Sequence, residues 1–172
     1  MKKVFIIMIL AVNICSISCN NSNVKPAGKI NQEAILHNSE NKISFKVNDE
    51  LVHTSGWNIS RFDMGKNTQL NITSNMHEDK RTIMINIKDS KAGSYSLQTT
   101  GEAYGDYKPD YQDLADSYSF QDGTIIITSI DTLRNILNAT FEGTVKNNQG
   151  KNFRITEGEI INGKITPGIT RY

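Results

Sequence analysis

From Ile43 to Ile165 the apolar positions of the chain recur at every second residue. A period of two sends successive side chains to opposite faces of a strand, one face buried and the other solvated. Ile43, Phe45 and Val47 share a face, with Ser44 and Lys46 on the other; Asn48-Asp49-Glu50 then turns the chain, and Leu51 to Ser55 returns as a hairpin arm. Leu70, Ile72 and Ser74 alternate with Asn71 and Thr73, and His77-Glu78-Asp79-Lys80 leads into Thr82 to Lys88. There Ile83, Ile85 and Ile87 alternate with Met84, Asn86 and Lys88, the clearest half-buried strand in the chain. Gly93 to Gln98 sets Tyr95 and Leu97 on one face, and Gly123 to Ile130 is apolar on both faces, as in a central strand covered on both sides. Ala139, Phe141, Gly143 and Val145 alternate next. Asn147 to Gly150 then turns into Asn152 to Thr156, where Phe153 and Ile155 point inward, and Glu157-Gly158 leads to a last strand, Glu159 to Ile165.

No stretch keeps a 3.6-residue period beyond two turns, so the pattern predicts an all-β domain. Short strands at regular spacing with polar turns give a single antiparallel β-sandwich or flattened barrel of roughly 8–10 short strands. A lipocalin-like closed barrel is the alternative. Gly101 to Ser117 breaks the alternation. It reads as a long loop, with one short helix over Pro109-Asp110 to Ala115, and long loops in compact domains are commonly functional.

The N-terminus follows another pattern. Lys2 and Lys3 precede an uninterrupted apolar run from Val4 to Val12. That run is too short for a membrane span of about 30 Å, which takes roughly 20 apolar residues, and it has the layout of a secretory signal. Ser16-Ile17-Ser18-Cys19 resembles the lipobox of bacterial lipoproteins, with Ser16 where Leu is usual. The resemblance implies transfer of a diacylglycerol with palmitate-type chains to the Cys19 thiol, cleavage before it, and acylation of the new amino terminus. Cys15 lacks a small residue just before it. The alternatives are an ordinary secreted protein cut nearby or a buried N-terminal helix.

The domain order is therefore a signal peptide over 1–18, a lipidated flexible tether over 19–40 and an all-β domain over 41–172. The tether is polar, with Pro26 and Gly28 and at most a helical turn over Gln32 to His37, and spans on the order of 25 Å as a random coil. Both cysteines lie in the signal region, so cleavage before Cys19 leaves one thiol, which acylation consumes.

Charge narrows the partners. The chain carries 19 basic and 18 acidic residues, and loss of Lys2 and Lys3 leaves 17 against 18. That balance argues against a nucleic-acid partner, which demands a concentrated basic face. No basic block follows Cys19, so membrane attachment rests on acyl chains, and two or more suffice for stable anchoring. Asn20 after the cysteine favours the outer membrane by the sorting rules of enteric lipoproteins. The absence of an acidic cluster in Asn20 to Asn23 favours a periplasm-facing position.

Several short pieces carry a family resemblance: Gly93-Ser94-Tyr95-Ser96-Leu97, Gly123-Thr124-Ile125-Ile126-Ile127-Thr128 with Asp131, Thr140-Phe141, and Ile155-Thr156-Glu157-Gly158. Together they resemble a family of uncharacterised Bacteroidetes-type lipoproteins, over about Ile43 to Ile165. The Thr-Phe pair is usually preceded there by Gly, here by Ala139, and Phe is frequent where this chain has Ile160. The resemblance implies an all-β envelope lipoprotein and brings no activity, ligand or catalytic residue. On the residues alone, Gly93, Gly123 and Gly158 sit where strands begin after turns.

Candidate chemistry concentrates in the Gly101–Ser117 segment. Tyr104, Tyr107 and Tyr111 could stack on sugar rings or line a pocket mouth, with Asp106, Asp110 and Asp113 beside them; a solvated loop with tyrosines covering a sheet edge is the structural reading. Calcium takes about six to eight oxygens, and the segment lacks the spaced acidic run of a calcium loop, so no metal site is expected. His37, His53 and His77 have no zinc-ligand spacing. No nucleophile elbow, P-loop or dinucleotide fingerprint occurs, so no catalytic residue and no cofactor are expected. Trp57 reads as a core or sheet-edge residue. Asp131-Thr132-Leu133 resembles a short glycosylation motif of Bacteroidetes-type envelopes, which makes Thr132 an acceptor candidate. The resulting expectation is a non-catalytic envelope binding or accessory module with a protein or glycan partner. The alternative is a carrier of a small hydrophobic ligand.

Overall fold

The computed structural model describes residues 42–54, 57–65, 67–74 and 80–168. The signal peptide, Cys19, the tether, His37 and His77 lie outside the described residues, as does the side chain of His53. Ten strands follow in order: β1 (Lys42–Val47), β2 (Glu50–Thr54), β3 (Trp57–Met64), β4 (Asn67–Ser74), β5 (Thr82–Ile87), β6 (Gly93–Ser96), β7 (Ala103–Lys108), β8 (Tyr118–Asp131), β9 (Ile136–Lys146) and β10 (Asn152–Pro167). Between β1 and β2, Asn48 and Asp49 both hold positive φ, 48° and 69°. These angles belong to a type I′ turn, whose twist matches that of the arms it joins and which Asn and Asp tolerate.

Strands β10, β3, β4, β5, β7, β8 and β9 are hydrogen-bonded neighbours in turn, and β9 pairs back onto β10. Seven strands therefore close into a barrel. The hairpin β1–β2 extends from β10, and β6 extends from β8. Closure fits the closed-barrel alternative rather than the sandwich, and its cause lies in two long strands that each serve two neighbours. One edge of β10 carries β1 along Ile155–Ile161 and β3 along Ile165–Pro167. One edge of β8 carries β7 at Tyr118–Ser119 and β6 along Thr124–Ile127. The β10–β3 seam is parallel, where an antiparallel sheet was expected throughout.

Bulges interrupt β8, and β10 at Ile155/Gly158 and Ile160/Gly163. A bulge adds one unpaired residue and bends the strand, which lets β10 run through Glu157-Gly158, expected to be a turn between two short strands. Glu157 and Asn162 take positive φ in the two bulges of β10, at 50° and 51°. Gly123, expected at a strand start, lies within β8 opposite Gly143. A Cβ on Gly143 would meet the Asp122 carbonyl and Gly123 Cα, so this glycine pair lets the bent strands approach closely.

The interior is filled by side chains. Ile59, Leu70, Ile72, Ile83, Ile85, Ile87, Ile125, Leu137 and Ile155 are completely buried, and Trp57 lies in the core. An aromatic group packs among them: Phe45 meets Tyr107 edge-on at 6.5 Å and Phe141 at 6.0 Å, and Phe153 meets Tyr118 edge-on at 4.8 Å. Such offset contacts suit the ring quadrupoles. Burial pushes the Tyr118 phenol above its ordinary pKa.

Candidate functional site

The Gly101–Ser117 segment is not one loop. Its first half is β7, paired with β5 from Ala103 to Lys108. Ala103, Gly105 and Tyr107 face inward, while Tyr104, Asp106 and Lys108 face out. Tyr107 is a core residue, 2% exposed. Asp106 accepts the Ser119 hydroxyl at 2.6 Å. Beyond the strand, Asp110 accepts the Gln112 backbone N–H at 2.9 Å and pairs with Lys80 at 3.4 Å. The backbone bond, helped by Lys80, holds the Asp110 carboxyl below the usual carboxylate range. Asp113 accepts the backbone N–H groups of Ala115 and Asp116 at 3.0 and 3.3 Å. Tyr111 is half-buried and its hydroxyl accepts from Gln112 at 3.3 Å.

The six residues named from the sequence thus separate into the core (Tyr107), one outer wall (Tyr104, Asp106) and a turn (Asp110, Tyr111, Asp113). Asp110 and Asp113 hold the turn in the way Asx turns do, and Asp106 ties β7 to β8 through Ser119. Among the described residues, no three His, Cys, Asp or Glu side chains gather as a metal site. Thr132 lies in the exposed β8–β9 turn, where Asp131 accepts the Leu133 and Arg134 N–H groups and Leu133 is 95% exposed.

A different surface forms on the outer face of β8, β9 and β10. Ile126, Thr140 and Glu159 stand opposite one another across the three strands, and Thr124 stands opposite Glu142. Over them lies a groove of about 420 Å³, floored by Phe141 and Gly158 and edged by Glu142, Glu157 and Glu159. A second hollow of about 300 Å³ shares Thr124 and Glu142 and reaches Asp122, Thr144 and Arg154. Ile126 is 44% exposed in the groove. Glu157 pairs with Lys46 at 2.7 Å, and Asp122 accepts the Thr144 N–H at 3.0 Å. Glu142 and Glu159 have no hydrogen bond or ion pair among the described residues. The groove therefore offers an exposed aliphatic side chain on β8 beside two carboxylates, on β9 and β10, that have no partner among the described residues.

Sequence reasoning missed this surface because it expected Gly123 to Ile130 to be covered on both faces. Ile126 shares its face with Thr124 and Thr128, and those two threonines were the available signal that the face is open. No family model matches the chain, and no curated protein or solved structure matches it either.

Proposed function

We propose that this protein is a lipid-anchored, non-catalytic binding or accessory module of the bacterial cell envelope. Acyl chains on Cys19 hold it at the outer membrane on the periplasmic side, and the barrel meets its partner through the β8–β9–β10 groove. The observation that carries the binding reading is the groove itself. An aliphatic residue left 44% exposed beside carboxylates that have no partner among the described residues is a surface whose apolar part a partner would desolvate with gain. Its acidic rim favours a partner segment with basic and apolar side chains.

Ring closure favours a second reading, the carrier of a small hydrophobic ligand. Against it stands the interior, where Phe45, Tyr107, Tyr118 and Phe141 and the isoleucines of β5 occupy the space such a ligand needs. Exposure of the Asp131-Thr132-Leu133 turn supports Thr132 as a glycan acceptor.

A photo-crosslinking residue at Thr140, with the protein expressed in its own host, tests the groove. A discrete crosslinked product is expected from position 140, absent from position 149 in the β9–β10 turn and lost when Ile126→Lys is added. No product at position 140, or the same product from both positions, rejects the groove as the recognition surface.

A further inference from the structure

The opposite outer wall carries a feature the groove does not explain. Ser60 on β3, Asn71 on β4, Asn86 on β5 and Tyr104 on β7 stand in register, one per strand. They form a row across the sheet about 14 Å long at the ordinary strand spacing. All four face outward, because Ile59, Ile72, Ile85 and Ala103 on the same strands fill the barrel. A second row, Asn58, Thr73, Met84 and Asp106, runs beside the first.

The side chains of this wall are wired to one another. Asn86 Oδ1 accepts N–H groups from Asn71 at 2.8 Å and from Gln69 at 3.2 Å, and the Thr73 hydroxyl donates to Asn71 at 2.8 Å. These bonds fix the amide orientations. Asn86 is 6% exposed as a residue, and its amide nitrogen, which donates to nothing among the described residues, is not among the fully buried polar atoms and so reaches solvent. Farther along the same face of β5, the buried Thr82 hydroxyl lacks a partner among the described residues. A buried hydroxyl without a partner is costly and uncommon, and an ordered amide held toward solvent is a ready donor, so both need a reason.

The chemistry of the wall restricts what can supply that reason. The first row bears no formal charge, and Asp106 in the second is spent on the Ser119 hydroxyl. The nearby cations among the described residues are Lys88, 6.0 Å from the centre of the Tyr104 ring, and Lys108, opposite Thr82 at the other end of β7; they stand apart and form no cluster. A phosphate-bearing ligand would want a basic cluster, and a protein partner would want more apolar and aromatic area than Met84 and Tyr104 provide. What matches two adjacent rigid amides flanked by hydroxyls is a neutral ligand dense in hydroxyl groups. Vicinal hydroxyls pair with side-chain amides as both donor and acceptor, the C–H face of a pyranose packs on a tyrosine ring, and one sugar unit covers about one strand spacing.

We infer that the Ser60–Asn71–Asn86–Tyr104 row is a binding site for a neutral oligosaccharide, with the Asn86 amide donating to a sugar hydroxyl and Tyr104 stacking at one end. This site is separate from the β8–β9–β10 groove and stands without it.

Calorimetric titration of the full-length chain in detergent micelles with cellohexaose, chitohexaose, xylohexaose and mannohexaose tests the inference. At least one hexasaccharide is expected to bind saturably. Tyr104→Ala should weaken that binding about tenfold or more, the loss of one stacked ring and its hydroxyl, and Ile126→Lys in the groove should leave it unchanged. In the unmodified protein the side-chain amide NMR signals of Asn71 and Asn86 should shift on binding, a readout that survives if Tyr104→Ala fails to fold. The inference is overturned if none of the four sugars binds. Binding that leaves both amides unmoved overturns it too, as does binding that is lost on Ile126→Lys and kept on Tyr104→Ala.

Discussion

Gly158 illustrates how one residue can be set by its neighbour's ring. A Cβ there would stand 2.5 Å from two carbons of the Phe141 ring and from the Phe141 carbonyl, so the ring occupies the place of the missing side chain. Gly158→Ala must displace either a core aromatic or the β9 backbone, and is expected to cost about 1–3 kcal/mol. The urea midpoint checks this against Gly101→Ala, where the nearest atom is 3.6 Å away and little change is expected. The residue scale was legible where alternation runs unbroken: Ile83, Ile85 and Ile87 read as inward and are fully buried. It failed at Gly158 and Ile126 for different reasons. At Gly158 a bulge shifts the phase of the pattern, and at Ile126 hydrophobicity was taken for burial on a face that is open.

Two strands escaped the sequence. In β7 the inward positions before Tyr107 are Ala103 and Gly105, too small to register as an apolar face, and the acidic outward residues made the segment look like a loop. In β3, Trp57 and Ile59 face inward but Arg61 and Asp63 follow on the same face and pair with each other at 3.2 Å, which ends the apolar pattern early. Both overlooked strands form the closing seams of the barrel. The β7–β8 seam holds two registered pairs and the β10–β3 seam three, whereas β8 and β9 share eleven. Local opening follows the weakest contacts. Hydrogen exchange is therefore expected to be faster for amides at both seams than in the middle of the β8–β9 ladder. Equal protection throughout would mean that the seams open only with the whole barrel.

At the scale of the whole molecule, the all-β class was readable from the period of two. Closure was not, because pairing between β3 and β10 joins residues about a hundred positions apart in sequence and leaves no local trace. The anchor is tested independently of the barrel. Replacing Cys19 with Ala should abolish incorporation of labelled palmitate and move the protein out of the membrane fraction; retained label or unchanged fractionation removes the lipoprotein reading.

The position of β10 bears on how such a chain is made. As the last of the ten strands it is the shared neighbour of β1, β3 and β9, so the ring has no closed form until β10 emerges. Every earlier stage of synthesis leaves β1 without its long partner and β3 with a bare edge. On the proposed export route, a late-arriving clasp of this kind keeps the nascent polypeptide threadable through a translocation pore. On that route the ring would close on the far side, once the β10 strand has crossed.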